Sequence, residues 1–545
     1  MKNNFRKTTF LIFCGVLVIL LFSCKNPFLA SADGKYQVNF VTNCETKIDS
    51  YRTDKIEAIQ ELTKENYVFG GWYTSAAFDG EPIKFPYKIT QDITLYAKWI
   101  EIPTVTFETN CETKIGSYRT DKIVSIQELT RENYEFDGWY TSESFEGESI
   151  TFPYKVTQNI TLYAKWIDKS KILTFEGCNS TSDFVGVCNS YDNVECSDGL
   201  LTIGYNYERI IFKNSQSTDL RIKLSNPKAK LIFENFSFSS SKGSLIESSS
   251  DIVIEYYGNN ELSSSSSNAI SLISGLGTVE FRGKNNGKFE LQPNTVTTST
   301  VGSVGVKANK VIIDSGNFII KESNGVDYPS SNKDGRKGRD GSSGIVTSAS
   351  KVLIKNNAVV NIKAGNGGKG AQGITGDPGK PGQNRESVMW YDEVTPGGPG
   401  KTGKLGGTGG NGGNAIIGNI EIISSNLTLI GGDGGKGGQG GQGGTGGKGG
   451  FSSWFDSTSC NGGDGGKGGQ GGTGGNGGDA ISGFLTQNDS RIILTAGKRG
   501  AGGDPGLGGN PGAGGDNKGF GAGQAGNYGA GGFTGNPGQD GIEHR

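Results

Sequence analysis

Histidine is almost absent from this chain of 545 residues, and the single one, His544, stands next to the C-terminus. Nucleophilic sites built on Ser-His or Cys-His pairs, and metal sites with histidine ligands, are therefore not supported. A polysaccharide lyase on a β-helix could work without histidine, but no cluster of Asp or Glu stands out on one predicted coil face. We expect no enzymatic activity, no cofactor and no metal ion.

An excess of basic charge is also lacking, because 53 Lys and Arg residues stand against 55 Asp and Glu residues. Nucleic acid, which is bound by a basic patch or stripe, is therefore not an expected partner. A long apolar run occurs once, as FLIFCGVLVILLF at 10–22, behind Lys2, Arg6 and Lys7. This run is too short and wrongly flanked for a spanning helix, and is typical of an export signal.

The export signal ends in Leu21-Phe22-Ser23-Cys24. This ending resembles a bacterial lipobox, which implies cleavage before Cys24 and attachment of a diacylglyceryl group to its sulfur. The alternative is a plain secretory signal. We expect residues 1–24 to be a lipoprotein signal and the mature protein to be lipid-anchored in the cell envelope, at the outer membrane or cell surface.

An internal repeat follows the signal. The segment NFVTNCETKIDSYRTDKIEAIQELTKENYVFGGWYTSAAFDGEPIKFPYKITQDITLYAKWI, from Asn39, recurs almost unchanged from Thr106. Its ends alternate apolar and polar residues, as half-buried strands do, and its middle, around Ile56, Ile59 and Leu62, predicts one short helix. The tryptophans fit a core, although they also invite a sugar-binding interpretation.

The GWY and TLYAKW motifs that close both copies resemble the Listeria–Bacteroides repeat, also called the internalin B-repeat. This resemblance implies two β-grasp-like modules, at 33–101 and 102–168, of a kind found in bacterial surface proteins as spacers or weak adhesive elements. Cys44-Glu45 and Cys111-Glu112 stand where many such repeats carry glycines.

From about residue 171 the chain is rich in Ser, Asn and β-branched residues, with short strands and turns recurring about every 25 residues. This period predicts a parallel β-helix over 171–364, continued by coils at 414–430 and 480–496. The region vaguely resembles right-handed β-helix carbohydrate-binding modules and pectate-lyase-like proteins, and a β-sandwich is the alternative. The predicted fold class is thus mainly β: two β-grasp-like repeats, a right-handed parallel β-helix and a polyglycine-II bundle.

Glycine dominates the stretches 365–413, 431–479 and 497–541, and a shorter excursion occupies 335–344. A three-residue glycine period suits polyproline II geometry, in which bare faces let neighbouring backbones pair. Each stretch consists of two similar legs around a break, which predicts three hairpins. The alternatives are a flexible linker and a collagen triple helix. The pattern resembles the polyglycine-II bundles of certain phage tail-fibre adhesins and of a springtail antifreeze protein.

Aromatic residues occupy the predicted hairpin tips. They are Trp390, Tyr391, Trp454, Phe455 and Phe520. Aromatic side chains on rigid loops are typical of binding sites, so we take these residues as ligand-binding candidates. The alternative is that the rings cap the bundle end against each other.

These features predict a lipid-anchored adhesin or ligand-binding protein, whose partners would be the membrane and a host or bacterial surface protein or glycan. The alternative is a protein that binds or degrades polysaccharide on its β-helix, and ice binding is a more distant one.

Cysteines are few. In an exported chain Cys178, Cys188 and Cys196 are close enough in sequence for one disulfide between two of them, with a zinc site as the alternative. Cys44 and Cys111 are expected to be isolated small hydrophobes, and Cys460, at a predicted tip, to be a free thiol.

Overall fold

The computed structural model describes residues 35–225, 229–299, 301–328, 334–383, 395–449, 461, 463–511, 513, 527 and 530–539. The protein is mainly β, and its chain divides into two compact units, Met1–Ile167 and Asp168–Arg545. The candidate residues Cys24, Trp390, Tyr391, Trp454, Phe455 and Phe520 lie outside the described residues, as do Cys460 and His544.

The first unit contains two copies of one β-fold. The first copy has β1 (Tyr36–Val41), β2 (Tyr51–Thr53), β3 (Lys55–Ile56), β4 (Tyr67–Tyr73), β5 (Tyr87–Lys88) and β6 (Ile93–Glu101). The second has β7 (Thr104–Glu108), β8 (Tyr118–Arg119), β9 (Lys122–Ile123), β10 (Tyr134–Tyr140), β11 (Tyr154–Lys155) and β12 (Ile160–Asp168). The main sheets have the orders β2-β1-β6-β4 and β10-β12-β7-β8, with a parallel pair at each centre. The internal repeat therefore folds twice into one topology.

Tryptophan forms much of the core in each copy. Trp72 and Trp139 are only 2% and 3% exposed. Trp99 and Trp166 are half-buried, and each indole N–H donates to a backbone carbonyl oxygen, at 2.7 and 2.8 Å. A buried indole needs such an acceptor. The tryptophans are core residues, as the strand pattern predicts.

The helix predicted in the middle of the repeat is wrong. Ile56 ends β3, and residues 57–63 form neither helix nor strand, although Ile56 and Leu62 are buried and Ile59 packs against them. A spacing of three residues fits an extended segment with three residues per turn as well as it fits a helix. The apolar side chains therefore reach the core without helical hydrogen bonds.

The second unit is built on a parallel β-helix. Its coils repeat three strand positions, and each position forms a ladder of parallel strands. These ladders are called sheets 1, 2 and 3, although two long strands join the first two into one continuous sheet. Sheet 1 contains β15 (Leu200–Ile203), β18 (Arg221–Leu224), β21 (Ile246–Ser248), β24 (Ser271–Gly275), β27 (Val304–Ala308), the first halves of β30 (Ser343–Lys355) and β32 (Ile416–Ile423), and β34 (Ile481–Ser482). Sheet 2 contains β13 (Ile172–Glu176), β16 (Arg209–Lys213), β19 (Lys230–Glu234), β22 (Ile252–Tyr257), β25 (Thr278–Gly283), β28 (Lys310–Asp314), the second halves of β30 and β32, and β35 (Leu485–Asn488).

Sheet 3 contains β17 (Gln216–Ser217), β20 (Ser237–Ser240), β23 (Asn259–Ser264), β26 (Lys288–Gln292), β29 (Asn317–Ile320), β31 (Val359–Lys363), β33 (Asn426–Ile430) and β36 (Arg491–Thr495). Strands of successive coils pair in parallel, which contradicts the β-sandwich alternative and agrees with the predicted β-helix. The turn from sheet 2 to sheet 3 uses left-handed residues such as Asn235, Asn357 and Asp489, at φ values of 50°, 60° and 46°. Asn and Asp tolerate this conformation, so they mark these corners in the sequence.

A helix covers the first coil of the β-helix. A 3-10 turn, Lys169–Lys171, leads into β13, and helix α1 (Thr181–Cys188) begins at Ser180, which forms a capping box with Asp183. Phe184 of α1 is fully buried, and its ring lies 5.3 Å from Phe175 and 6.4 Å from Phe212. Strand β14 (Val194–Ser197) then pairs antiparallel with β15. The helix covers apolar surface that a preceding coil would otherwise bury.

The turn from sheet 3 to sheet 1 lengthens along the β-helix. It occupies 218–220, 241–245, 265–270 and 293–303 in the first coils, and then 321–342, 364–415 and 431–480. The long connections are the glycine-rich hairpins, and the excursion expected at 335–344 belongs to the shortest. The outgoing and returning segments are numbered 1 to 8 and occupy 321–328, 334–342, 364–383, 395–415, 431–449, 461–480, 496–513 and 527–539.

Segments 1 to 8, called the glycine bundle from here on, are held together by backbone hydrogen bonds. From Gly434 onwards, the first glycine of each G-G-X triplet in segment 5 donates to segment 7, as Gly434 does to Lys498 O at 2.7 Å. The second donates to segment 4, as Gly435 does to Gly410 O at 2.7 Å. The same register places segments 1, 3, 5 and 7 in one layer and segments 2, 4, 6 and 8 in the other. These bonds give partners to the buried backbone N–H and C=O groups of segments that have no side-chain core.

Candidate functional site

The glycine bundle brings the hairpin connections to one end. Near that end Gly382 donates to Lys448 O of segment 5 at 2.7 Å, and Gly446 donates to Asn510 O of segment 7 at 2.9 Å. In the second layer Gly465 donates to Asn527 O at 2.7 Å. The connections 384–394, 450–460 and 514–526 therefore leave from, and return to, neighbouring positions. The five aromatic candidates lie in these connections, outside the described residues.

The bundle leaves no room for side chains between its segments. A Cβ atom built on Gly438 would lie 1.9 Å from Ala371 O, and one built on Gly472 would lie 1.9 Å from Gly407 O. In the G-G-X triplets of segment 5, side chains project only from the third position, where Lys436, Gln442 and Thr445 are exposed. The glycine period thus specifies both the close approach of the backbones and the outward direction of the other side chains.

Asn and Asp at third positions add a hydrogen bond that we did not predict. The hydrogen bonds between segments use the N–H groups of the first and second positions. They leave the amide N–H of the third-position residue without a backbone carbonyl to donate to. At the base of the first layer, Asn366 N donates to the side chain of Asn324, Asp433 N to Asn366 and Lys498 N to Asp433, at 2.7–2.8 Å. The second layer repeats this arrangement in Asp340, Asn411, Asn476 and Gln539. The recurrence of Asn and Asp at equal depth in successive hairpins is the sequence signal for it.

Charged side chains at the second position of G-X-Y triplets pair across the bundle surface. Lys401 Nζ lies 2.8 Å from Asp377, close to the end that carries the connections. The hydrogen bond from Lys401, and then its charge, lowers the pKa of the Asp377 carboxyl, and Asp377 raises the pKa of Lys401 in the same way. Both side chains are exposed, so this pair contributes little to stability.

A groove of about 510 Å³ lies on the outer face of sheet 3, where β29, β31 and β33 continue into the glycine bundle. It combines apolar, amide and charged side chains, with Gln292, Ile319, Lys321, Asn361, Lys363 and Thr428 among its lining. These residues come from four coils that are far apart in sequence. Only the register of the parallel sheet brings them together, so no local pattern in the sequence marks them.

A buried carboxylate underlies this part of sheet 3. Glu290 is 4% exposed; Lys288 Nζ lies 2.7 Å from it, and Lys321 also contacts it. Burial by itself would raise the pKa of this carboxyl, but the hydrogen bonds from the two lysines outweigh it and lower the pKa. Lys363 pairs with Glu322 at 2.7 Å. The groove therefore presents paired charges rather than a surface of one sign.

The cysteines fall into two groups. Cys44 and Cys111 are not fully buried, and their thiols point to backbone carbonyl oxygens at 3.6 and 3.5 Å. Cys178, Cys188 and Cys196 meet in the apolar cluster at the start of the β-helix. The three sulfur atoms do not all lie within 4.8 Å of one another, as the ligands of one metal ion would. The geometry therefore does not favour the zinc alternative.

Among the residues that the structure describes, no helix combines the length and the apolar character needed to cross a bilayer. The Listeria–Bacteroides repeat domain matches residues 36–98 and 104–165, the two copies of the first unit.

Two similar proteins come from Evansella cellulosilytica, and they carry the provisional names membrane protein and Gly-rich membrane protein. The first is 33% identical over 156 residues, which is 26% of this chain and 22% of that protein. The second is 33% identical over 144 residues, which is 24% of this chain and 16% of that protein. The matches thus span about a fifth of each relative. No solved structure matches this chain significantly.

Proposed function

We propose that this protein is a surface-associated bacterial adhesin that presents the hairpin connections of its glycine bundle to a protein or glycan of another surface. The observation that carries this proposal is the register at the bundle end, where backbone hydrogen bonds hold the ends of three hairpins side by side. Holding the two ends of a binding loop in place lowers the entropy that the loop loses on contact. Both the repeat domain and the provisional names of the relatives support a location at the cell surface.

Serine substitution of Trp390, Tyr391, Trp454 and Phe455 tests the proposal in the full-length protein. We expect cells that display this variant to lose binding to immobilised host matrix proteins or to a glycan array, with the melting temperature unchanged. Lower stability with binding intact would instead support rings that cap the bundle, and binding retained with unchanged stability would contradict the binding site.

A matched control uses aromatic residues that are exposed elsewhere in the same unit. Tyr205 and Phe533 are 72% and 79% exposed. Their replacement by serine removes two exposed rings at positions outside the hairpin connections. We expect it to leave binding unchanged, and a loss as large as that of the tip variant would show non-specific adhesion.

The attachment to the surface rests on Cys24: we propose that its sulfur takes a diacylglyceryl group and that the export signal is cleaved before this residue. Radiolabelled palmitate should label the wild-type protein. Cys24→Ala should abolish labelling and either release the protein from membranes or leave the precursor uncut. Absence of label on the wild type would contradict the anchor without touching the adhesin proposal.

A second candidate function is polysaccharide binding in the groove on sheet 3. Amide, hydroxyl and paired charged side chains on a flat β-helix face can exchange hydrogen bonds with sugar hydroxyls. We expect the double variant Gln292→Ala, Asn361→Ala to lose signals on a glycan array. A control, Gln216→Ala with Asn179→Ala, alters the smaller groove of about 350 Å³ near the first coils. Equal signals from all proteins would contradict a site in the sheet 3 groove.

A further inference from the structure

The first coil of the β-helix is a place where a covalent link would add stability. Every inner coil is paired on two sides, whereas the first coil is covered by α1 and by the β14–β15 hairpin. Terminal units of a repeat fold open first because they have one neighbour instead of two. Cys188 lies at the end of α1, and Cys196 lies in β14.

The two cysteines are held next to each other by structure on both sides. Cys188 is 3% exposed, and Cys196 packs against the same apolar cluster. Cys196 is fixed by pairing with Leu201 across the hairpin. The connection between the two is ordered: Tyr191 N donates to Cys188 O at 3.1 Å, and Tyr207 Oη donates to Asp192 O at 2.8 Å.

The thiols of Cys188 and Cys196 also interact directly. Their hydrogen bond raises the pKa of the Cys188 thiol, which burial raises further, and it lowers the pKa of the Cys196 thiol. Cys178 is placed differently: burial and then the charge of Asp183 raise the pKa of its thiol, and its Sγ points to Glu176 O at 3.9 Å. Cys196 is also more exposed than the buried Cys188 and Cys178, so it is the thiol of the three that an oxidant reaches first.

We infer that Cys188 and Cys196 form a disulfide that ties α1 to the β14–β15 hairpin, and that Cys178 remains a buried thiol. The thiolate of Cys196 attacks one sulfur of a small or protein disulfide and releases one thiol. Cys188 then attacks the mixed disulfide and releases the second thiol. The two cysteines are oxidised, the oxidant disulfide is reduced, and both protons end on its thiols. In the cell this reaction depends on the proposed export, because the cytosol keeps thiols reduced.

Digestion decides the pairing directly. The chain has no Lys or Arg at 172–208, so trypsin leaves all three cysteines on one peptide. A protease that cleaves before aspartate separates them into 168–182, 183–191 and 192–197. After oxidation with glutathione disulfide and alkylation, we expect mass spectrometry to find 183–191 joined to 192–197, with Cys178 alkylated. A link to Cys178, or three alkylated cysteines, would overturn the inference.

Single variants provide the matched control. Cys178→Ser should keep the link, whereas Cys196→Ser should leave Cys178 and Cys188 alkylated and lower the melting temperature of the second unit by about 3–6 °C. Reducing agent should destabilise the wild type and Cys178→Ser, and leave Cys196→Ser unchanged. A Cys196→Ser protein with wild-type stability and wild-type response to reductant would contradict the link. Because these measurements use purified protein, they do not depend on adhesion or export.

Discussion

Replacing Gly438 by alanine in the glycine bundle tests the packing that this fold depends on. The new Cβ would lie 1.9 Å from Ala371 O and 2.8 Å from Gly370 O, so segments 3 and 5 must separate. A separation of about 1 Å or more is needed before these atoms reach ordinary contact distance. The bonds at risk join segment 3 to segment 5 on either side of the new methyl group: Gly370 to Lys436 at 3.0 Å and Gly373 to Gln439 at 2.8 Å.

Two buried hydrogen bonds lost without replacement cost about 2–5 kcal/mol. The smaller freedom of alanine in the unfolded chain offsets about 0.4–1 kcal/mol of this loss. The expected net destabilisation is therefore about 2–4 kcal/mol. It is local, because the β-helix coils on either side keep their own pairing. Because the loss is local, the global melting temperature is not the best measure of it.

Hydrogen exchange measured by mass spectrometry on peptides from segments 3 and 5 is the suitable assay. We expect protection in segment 5 to fall about 30-fold or more in Gly438→Ala. The matched control is Gln439→Ala, the next residue, whose side chain projects from the third position and whose loss should change stability by less than about 0.5 kcal/mol. Equal protection in the two variants would refute the packing, as would random-coil exchange of segment 5 in the wild type.

Two further predictions concern the backbone hydrogen bonds of segment 5 and the side-chain partners of Glu290. Gly440→Pro should disrupt segment 5, because it removes the N–H that donates to Asp504 O at 2.8 Å. The control is Pro505→Gly, at the same triplet position of segment 7, which should leave hydrogen exchange nearly unchanged. Glu290→Gln should lower the free energy of unfolding by about 1 kcal/mol at pH 7. Because the folded pKa of Glu290 is lowered, this contribution is present above the ordinary pKa of a glutamate and disappears as the pH falls through the folded pKa. The unfolding free energies of variant and wild type, measured with denaturant, should therefore converge in acid. A difference that stays constant with pH would contradict the role of Glu290.

The repeat, the strand positions and the left-handed corners could be predicted because each depends on neighbours in sequence. Alternation along β6 and β12, and Asn or Asp at corners such as Asn357 and Asp489, are local signals. The error at 57–63 has the same origin, since a spacing of three apolar residues does not distinguish a helix from an extended segment once tertiary contacts bury it.

The glycine period by itself determined that segments 3 to 8 could pack only through their backbones, because glycine has no side chain to interpose. It could not determine the partner of each N–H, since every G-G-X triplet offers the same two donors. The β-helix decides this, because each hairpin starts on one coil and packs against the hairpin of the preceding coil. The pairing of the coils therefore sets which carbonyl each N–H meets, so that Gly434 donates to Lys498 O and Gly435 to Gly410 O. The groove on sheet 3 and the meeting of Cys188 with Cys196 likewise exist only after the coils have stacked, because the side chains involved are brought together by contacts between different elements rather than by a local pattern.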